Sequence, residues 1–347
     1  MKILTYNLWH GLAPKGPLSM EFLEPEPRRK IRLKMQLDLL KSLNFDLGLF
    51  QEVNPLLDRA HQLQAHMGME TFYQSDLVGV KVFGLGLPGD LNSGLLSLSK
   101  DSLQMRRVKG VKLSGAGRSF VSPWLSFQLR EERYALLTET IHPVWGRVLV
   151  VNTHLHHGLE LTEALQEELE KEATQLDLNA SVLSEILDRL QKGNQRRLME
   201  MKRLMGVIES LSSRYSMVIL GGDLNARPDG ELGQLLKDFG YKDSFALQDE
   251  VKEAFTFDPS ANSANHMIQS KFPLSVKFED LSFSKKVTDR LGELLSRHEA
   301  SARRIDQIWI KSKNLRFKTK VQMLGFEEEA GFAPSDHFGY FVELESL

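Results

Sequence analysis

Short apolar runs that each end in a carboxylate, an amide or an imidazole recur along the chain. The polar residues at these ends are Asn7, Glu52, His154, Asp223 with Asn225, Asp306, and Asp336 with His337. Strand ends on one side of a sheet converge in space, so residues far apart in sequence can line a single cleft. The chain is therefore predicted to fold around β-sheet and to carry one composite polar site where strands end.

Apolar periodicity predicts the individual elements. Apolar residues recur at helical spacing from Arg28 to Leu43 and from Leu198 to Leu211, and a further helix is predicted near Glu231–Phe239. Short apolar runs bounded by turn residues predict strands. These are Ile3–Asn7, Asp46–Phe50, Ser93–Ser99, Phe120–Gln128, Ala135–Ile141, Val148–His154, Met217–Leu220, Ile305–Ile310, Phe317–Leu324 and Gly339–Leu344.

The chain of 347 residues is predicted to be a single domain spanning residues 1–347, because it contains no internal repeat, low-complexity tract or evident linker. A helical insertion is predicted at about residues 158–195. Its acidic and basic runs are most simply solvated helix faces. A long irregular region is predicted from Phe239 to Lys286, and such a loop inside a compact domain is usually functional.

Composition limits the classes of function. The 44 basic and 46 acidic side chains give a formal net charge of -2, so no global positive field attracts nucleic acid, although a local basic face would suffice. The absence of cysteine excludes disulfides and thiolate metal sites. The N-terminus lacks a signal-peptide pattern, and no apolar run approaches the roughly 18 residues of a membrane span. A cytoplasmic, monomeric protein without transmembrane segments is predicted.

The strand-end residues are hard oxygen donors with few histidines, a set that suits Mg²⁺, or Mn²⁺, better than zinc. Taken singly, each signal is weak. Glu52 alone is more often a solvated strand-end residue, Asn7 a turn former and Asp306 a buried salt-bridge partner. The ordered set is far more specific than its members.

The segments FQEV, THLHH, GGDLNARP, RRIDQIW and SDHFGY, in that order, resemble the endonuclease/exonuclease/phosphatase superfamily. That superfamily includes apurinic endonucleases, pancreatic-type deoxyribonucleases, inositol polyphosphate 5-phosphatases and neutral sphingomyelinases. The resemblance runs from about Lys2 to Glu345. It implies an α/β fold of four layers, an α/β sandwich in which two mixed β-sheets pack face to face with helices outside.

Within the superfamily, the likeness is greatest to neutral sphingomyelinase-like phosphodiesterases. Asn92–Lys100, with the sequence NSGLLSLSK, and Thr153–His156, with the sequence THLH, are similar to motifs of those enzymes, and Phe257-Asp258 with Asn262-Ser263 resembles a loop of bacterial sphingomyelinases. Two features depart from the pattern. The segment between His154 and Asp223 is longer than usual, and a secretion signal is missing.

The resemblance also implies a role for each site residue. Metal binding falls to Asn7, Glu52 and Asp336; His337 is the general base and Asp306 its orienting partner; Asp223 and Asn225 position the water and the phosphate; and His154 donates hydrogen bonds to a non-bridging oxygen. An alternative that remains open gives the role of base to Asp223.

The function that follows is a Mg²⁺-dependent phosphodiesterase acting on a phospholipid head group, with peripheral membrane contact as a further expectation. Trp145, at a predicted hairpin tip, is one candidate for that contact. A nuclease acting on DNA or RNA is the first alternative and needs a basic groove beside the cleft. An inositol-phosphate or nucleotide phosphatase, with several Lys and Arg converging on the cleft, is the second. An interaction scaffold built on the helical insertion would show no metal-dependent turnover.

Overall fold

A computed structural model of the chain describes all residues except 17–18, 83–84, 116–118, 122–124, 129–131, 249–253, 266–283 and 330. The strands are Lys2–Asn7 (β1), Leu12–Gly16 (β2), Ser19–Phe22 (β3), Leu47–Val53 (β4), Met69–Val82 (β5), Leu85–Lys100 (β6), Arg106–Ser114 (β7), Ser119–Val121 (β8), Leu125–Gln128 (β9), Arg133–His142 (β10), Gly146–His154 (β11), Met217–Asp223 (β12), Lys242–Asp243 (β13), Asp306–Ser312 (β14), Phe317–Leu324 (β15) and Gly339–Ser346 (β16). The helices are Glu26–Ser42 (α1), Leu56–Met67 (α2), Glu163–Gln175 (α3), Ala180–Ser212 (α4), Glu231–Asp238 (α5) and Lys285–Glu299 (α6).

Two mixed sheets carry the fold. One has eight strands in the order β15-β16-β1-β4-β6-β5-β9-β8, and the other has six in the order β13-β14-β12-β11-β10-β7. Each sheet contains a parallel pair at its centre, β1 with β4 and β11 with β12, and the neighbours of these pairs run antiparallel. Strands β2 and β3 form a separate ribbon.

The central strands are buried on both faces. Ile3 of β1 and Val150 of β11 point into a core between the sheets, whereas the next residues, Leu4 and Val151, point into two different outer cores. This alternation follows from the two-residue period of a strand. It explains why these strands appear in the sequence as continuous apolar runs.

The outer cores are closed by helices. Leu37 and Leu40 of α1 and Leu63 of α2 pack on the eight-stranded sheet, and Leu204 of α4 and Leu232 of α5 pack on the six-stranded sheet. The layers are therefore helix, sheet, sheet, helix. The predicted α/β sandwich, with two mixed sheets face to face and helices outside, is confirmed.

A polar bridge fixes the two sheets relative to each other. The amide nitrogen of Gln51 in β4 donates to the side-chain oxygen of Asn152 in β11 at 2.8 Å, and Asn152 donates back to the backbone oxygens of Phe50 and Leu96. All these groups are buried, so each hydrogen bond is costly to leave unmade. The bridge lies next to the strand ends that carry the predicted site residues.

The helical segment after β11 has a small core of its own. Leucines of α3 and of the first half of α4 pack against Leu291 and Leu295 of α6. Ion pairs from Arg290 to Glu172 and from Arg297 to Glu168 join α6 to α3. Helix α4 continues through Ser212, so its second half belongs to the layer that covers the six-stranded sheet.

Several sequence expectations need correction. Phe120 and Phe127 pair with each other across the antiparallel strands β8 and β9, so the prediction of a single strand at Phe120–Gln128 is wrong; residues 122–124 lie outside the described residues. The structure also contains elements that were not predicted, namely strands β2, β3, β5, β7 and β13 and helices α2 and α6. Trp145 is 2% exposed, because it packs in the core between the sheets against Phe317, and it cannot dip into a lipid surface. In the described part of the chain, no helix is both long and apolar enough to cross a membrane.

Candidate active site

Three predicted site residues lie side by side at one end of the six-stranded sheet. His154 ends β11, Asp223 ends β12 and Asp306 begins β14, and the strand register pairs His154 with Asp223 and Asp223 with Asp306. Gly222 permits this register, because its φ is +144° and a Cβ there would lie 1.8 Å from the backbone oxygen of Thr153. All three polar side chains are buried.

The eight-stranded sheet supplies Asn7 and Glu52 from the neighbouring parallel strands β1 and β4. The side-chain nitrogen of Asn7 donates to Glu52 Oε1 at 3.3 Å and to Asp223 Oδ2 at 3.0 Å, so it joins the two sheets at the site. Its side-chain oxygen accepts a hydrogen bond from the backbone nitrogen of Trp9 at 3.0 Å. The side-chain nitrogen of Asn7 therefore points towards the two carboxylates and donates to both. The role of Asn7 as a metal ligand stays a prediction.

Glu52 occupies an unusual backbone position. Its φ is +55°, a left-handed conformation that costs free energy for a residue with a Cβ and that occurs often at functional sites. Burial alone would raise the pKa of Glu52, but the charge and the backbone N–H of His10 hold that pKa far below its ordinary value. Glu52 is thus an ionised carboxylate inside the site.

The loop before β16 completes the arrangement. The hydroxyl of Ser335 donates to the backbone oxygen of Asn7 at 2.6 Å, and Asn262 and Asn265 donate to the backbone oxygens of Ser335 and Asp336. These bonds place His337 with its Nε2 3.9 Å from Asp223 Oδ2. Burial and the charge of Glu52 raise the pKa of Asp336, although the charge of His337 opposes this, so Asp336 and Glu52 repel each other.

His337 and Asp306 form a buried hydrogen-bonded pair. Nδ1 of His337 lies 2.7 Å from Asp306 Oδ2, and the Phe257 ring packs edge-on against the imidazole. Burial alone would lower the pKa of His337, but the charge of Asp306 and this hydrogen bond raise it to about 10. The carboxylate fixes the proton on Nδ1 and leaves Nε2 facing the cleft.

His154 has the opposite electrostatic surroundings. Its Nε2 lies 3.5 Å from Asp223 Oδ2 and 3.9 Å from Glu52 Oε1, and its Nδ1 lies 2.9 Å from Nη1 of Arg133. Burial and the positive charge of Arg133 lower the pKa of His154 well below its ordinary value. The ring is therefore neutral.

Asp223 lies at the centre of these contacts. Its Oδ2 faces Asn7, His154 and His337, and its Oδ1 accepts a hydrogen bond from the backbone nitrogen of Asn225 at 2.9 Å. Burial and the charge of Asp306 raise the pKa of Asp223. The side chain of Asn225 donates to the backbone oxygen of Leu155 at 3.1 Å, which ties the β12 end to the β11 end.

The donor set fits a metal ion. Ligand atoms of Asp223, Asp306 and His337 lie within 4.8 Å of one another, and all three residues are buried. Oδ1 of Asp306 is also buried, and it accepts no hydrogen bond from the part of the chain that the structure describes. Clustered, buried oxygen donors are the surroundings that hard divalent cations occupy. The Asp223, Asp306 and His337 group could therefore hold a metal ion, and the predicted ligands Glu52 and Asp336 lie beside it.

Two further residues belong to the site. The backbone nitrogen of His10 donates to Glu52 Oε2 at 3.1 Å, a contact that residue type cannot signal. Arg133 contacts His154 from the neighbouring strand β10. Neither residue was predicted from the sequence to take part in the site. Only the position of Arg133 at the start of a strand beside His154 could have indicated its contact.

Comparison with known proteins identifies the fold. Neither a protein-family model nor a curated protein sequence matches the chain. Among solved structures, an endonuclease/exonuclease/phosphatase from Bacteroides vulgatus is 14% identical with a TM-score of 0.54, and the match covers 100% of this chain and 98% of that one. TDP2 from D. rerio, complexed with a single-strand DNA product, is 15% identical with a TM-score of 0.54, over 99% and 98% of the two chains.

A mannosyl-6-phosphatase from Bacteroides thetaiotaomicron is likewise 15% identical, with a TM-score of 0.52 over 99% of both chains. At sequence identities this low, the similarity to these three structures establishes the fold of the chain and not its activity. The chain has the endonuclease/exonuclease/phosphatase fold over nearly its whole length.

Proposed function

We propose that the protein is a Mg²⁺-dependent hydrolase of phosphate esters. The observation that carries the proposal is the convergence on Asp223 of groups from both sheets. Asn7, His154 and His337 each present a nitrogen within 3.9 Å of Asp223 Oδ2, although they come from three distant parts of the sequence. Such a cluster of buried carboxylates, amides and imidazoles suits metal-assisted hydrolysis.

Glu52 and Asp336, with the Asp223 group alongside, would hold a divalent cation, and this cation would supply positive charge for a phosphoryl oxygen. His337 takes the proton from the attacking water at Nε2, while Asp306 holds Nδ1–H and stabilises the imidazolium that forms. Besides Asp306, the charges of Asp336 and Asp223 raise the pKa of His337, so a cation bound by these two carboxylates would lower that pKa and free Nε2 to accept a proton.

The remaining residues orient the reactants. Asp223 and Asn225 position the water and the phosphate for in-line attack on phosphorus. His154 donates from Nε2 to a non-bridging oxygen, a contact that strengthens as negative charge builds up there. Asn7 holds the carboxylates of Glu52 and Asp223 in register through two hydrogen bonds.

The proposed substrate is a phospholipid head-group phosphodiester, as in neutral sphingomyelinases. The support is sequence likeness in Asn92–Lys100, which lies within β6, and in Thr153–His156, which contains His154. The same chemistry also fits nucleic acid, the ligand in the structurally similar TDP2, and a phosphomonoester, as for the mannosyl-6-phosphatase. Cytoplasmic location, a monomeric state and peripheral membrane contact remain parts of this proposal.

The test is a parallel hydrolysis assay with sphingomyelin vesicles, plasmid and abasic DNA, and an inositol phosphate, with Mg²⁺ and with EDTA. Each substrate is offered to the wild type, to His337→Ala and to His66→Ala, an exposed histidine far from the cleft that serves as the matched control. We expect His337→Ala to lose at least about 100-fold in turnover. A folded His337→Ala protein with near-normal activity would exclude His337 as the base.

Glu52→Gln tests the metal role separately. We expect at least about a tenfold increase in the Mg²⁺ concentration that gives half-maximal activity. An unchanged Mg²⁺ titration would contradict that role. Hydrolysis of sphingomyelin alone supports the lipid assignment, hydrolysis of DNA moves the protein to the nucleases, and no metal-dependent turnover on any substrate overturns the proposed function.

A further inference from the structure

Arg133 links two histidines at the edge of the site. Its side chain is 3% exposed, Nη1 lies 2.9 Å from Nδ1 of His154, and Nη2 lies 3.1 Å from Nδ1 of His157. Strand β10 pairs with β11 so that Ala135 is opposite Thr153, which brings Arg133 beside the loop that follows His154. The contact is therefore determined by the register of two adjacent strands.

The chemistry of the guanidinium determines the direction of both hydrogen bonds. An arginine side chain has donors and no acceptor, and it stays protonated in proteins. In both contacts the histidine Nδ1 must therefore be the acceptor, with a free lone pair and no proton. A neutral imidazole that accepts at Nδ1 carries its proton on Nε2.

The orientation of the His154 ring places the proton-bearing nitrogen of this tautomer in the cleft. Its Nε2 faces the cleft, 3.5 Å from Asp223 Oδ2 and 3.9 Å from Glu52 Oε1. His337 differs, because its Nδ1 faces the acceptor Asp306 and must carry a proton there. The arginine therefore makes Nδ1 of His154 a hydrogen-bond acceptor, whereas the carboxylate makes Nδ1 of His337 a hydrogen-bond donor.

We propose that Arg133 is a positioning residue that fixes His154 as the Nε2–H tautomer and so makes His154 a dedicated hydrogen-bond donor to the substrate phosphoryl group. The donor role rests on the proposed function, whereas the tautomer does not. Arg133 also places a permanent positive charge directly behind the imidazole ring. His154 thereby serves as a hydrogen-bond donor from Nε2 while its ring stays neutral.

The first test reads the tautomer directly and needs no substrate. The full-length protein is labelled with ¹⁵N-histidine, and the His154 ring is assigned by comparison with the His154→Gln spectrum. At neutral pH, with and without Mg²⁺, we expect the Nδ1 signal of a lone-pair nitrogen and the Nε2 signal of a proton-bearing nitrogen. A proton on Nδ1 of His154 in the wild type would overturn the proposal, whatever the activity of the protein.

Variants then test the cause. Arg133→Met removes every donor at similar length, Arg133→Lys keeps a cationic donor, and Arg147→Met removes an exposed arginine that pairs with Glu139 on the same sheet. In Arg133→Met we expect the Nε2–H tautomer to lose its dominance, with kcat falling about 100-fold and KM changing much less. Arg133→Lys should recover part of both, and Arg147→Met should resemble the wild type.

The outcomes separate the two proposals. If the wild type hydrolyses none of the substrates but its His154 spectrum shows the Nε2–H tautomer that Arg133→Met removes, the proposed function fails and the role of Arg133 in setting the tautomer stands. If the wild type is active and Arg133→Met keeps both tautomer and kcat, the inference fails and the proposed function stands. Should Arg133→Met not fold, the wild-type and Arg133→Lys spectra still decide the matter.

Discussion

The carboxylate of Asp306 lies 2.7 Å from Nδ1 of His337, with both side chains buried at the junction of the two sheets. Asp306 belongs to β14 and His337 to the loop before β16, so the pair connects the six-stranded sheet to the end of the chain. This geometry suits the base role proposed for His337, because one ring nitrogen is held by a carboxylate and the other is directed into the cleft.

Asp306→Asn tests this relationship. The substitution keeps the size of the side chain but removes the charge that raises the pKa of His337, and the new amide can present its nitrogen to the imidazole. We expect turnover to fall at least about 100-fold and the pKa of His337 to fall as well. Steady-state kinetics and an NMR titration of the ring measure the two effects. Asp188→Asn, on the exposed surface of α4, is the control, and an equal effect in both variants would contradict the assignment.

Asp336→Asn should increase the stability of the metal-free fold. The pKa of Asp336 is raised by burial and by the charge of Glu52, so at neutral pH the carboxylate destabilises the metal-free fold. The neutral amide relieves this repulsion. We expect the free energy of unfolding in EDTA to increase by about 1 kcal/mol, as is common when a strained functional residue is replaced.

The same variant should respond weakly to Mg²⁺. Stabilisation by a bound ion depends on its affinity for the folded state, so losing a ligand lowers the gain that Mg²⁺ produces. Urea unfolding with EDTA and with Mg²⁺ measures both quantities for wild type and variant. A variant that is less stable in EDTA, yet gains as much from Mg²⁺ as the wild type, would be incompatible with Asp336 as a ligand.

The residues of the candidate site could be located in the sequence because they lie at strand ends. Apolar runs buried on both faces have clear limits, so Asp223 and Asp306 could be placed where the apolar pattern stops. The register of β11, β12 and β14 then aligns them with His154. Strands β5 and β7 escaped prediction because their sequences mix polar and apolar residues without a sustained alternation.

The parts of the site that the sequence does not reveal depend on backbone atoms and on packing between elements. His10 acts through its backbone N–H, which every residue except proline possesses. Arg133 resembles any charged residue at a strand start until the register with β11 brings it to His154. Trp145 lies in a hairpin turn, which predicts exposure, but the second sheet covers it. These contacts are properties of the assembled layers.

Asp46 should make the stability of the fold depend on pH. Its Oδ1 accepts a hydrogen bond from Lys100 Nζ at 2.8 Å and its Oδ2 from the Lys2 backbone nitrogen at 2.7 Å. Burial alone would raise the pKa of Asp46, but these hydrogen bonds and the Lys100 charge lower it. A carboxyl with a lowered pKa stabilises the fold above its unfolded pKa of about 4, and this stabilisation is lost as pH falls through the folded value.

We therefore expect Asp46→Asn to reduce the free energy of unfolding by about 1 kcal/mol at pH 7, an estimate limited by partial exposure. The difference from wild type should shrink below pH 4 and disappear once Asp46 is protonated in both states. Urea unfolding across this range measures it. Asp38→Asn, which removes an exposed pair with Lys34, is the control and should change little at any pH. A constant difference between Asp46→Asn and wild type at all pH values would show that charge is not the cause.

Glu200 connects the long helix α4 to the loop that carries the site histidines. It is 1% exposed; its Oε2 accepts from the His156 backbone nitrogen at 2.8 Å, and its Oε1 accepts from Ser114 and lies 3.4 Å from Arg196 Nε. Glu200→Ala leaves these donors without their acceptor inside the protein. We expect the free energy of unfolding to fall by about 2–3 kcal/mol. Glu185→Ala, which removes an exposed pair with Arg189 on the same helix, should cost less than about 0.5 kcal/mol.

Activity should fall with Glu200→Ala as well, because His154 is two residues from the anchored amide. Arg197, in the same turn of α4, donates to the backbone oxygens of His156 and Gly158 and holds the loop from the other side. Amide hydrogen exchange at His156 and kcat, measured under conditions where the variant is folded, test the connection. Faster exchange with lower kcat is expected. Unchanged kcat despite faster exchange would mean that this anchor stabilises the fold without positioning His154.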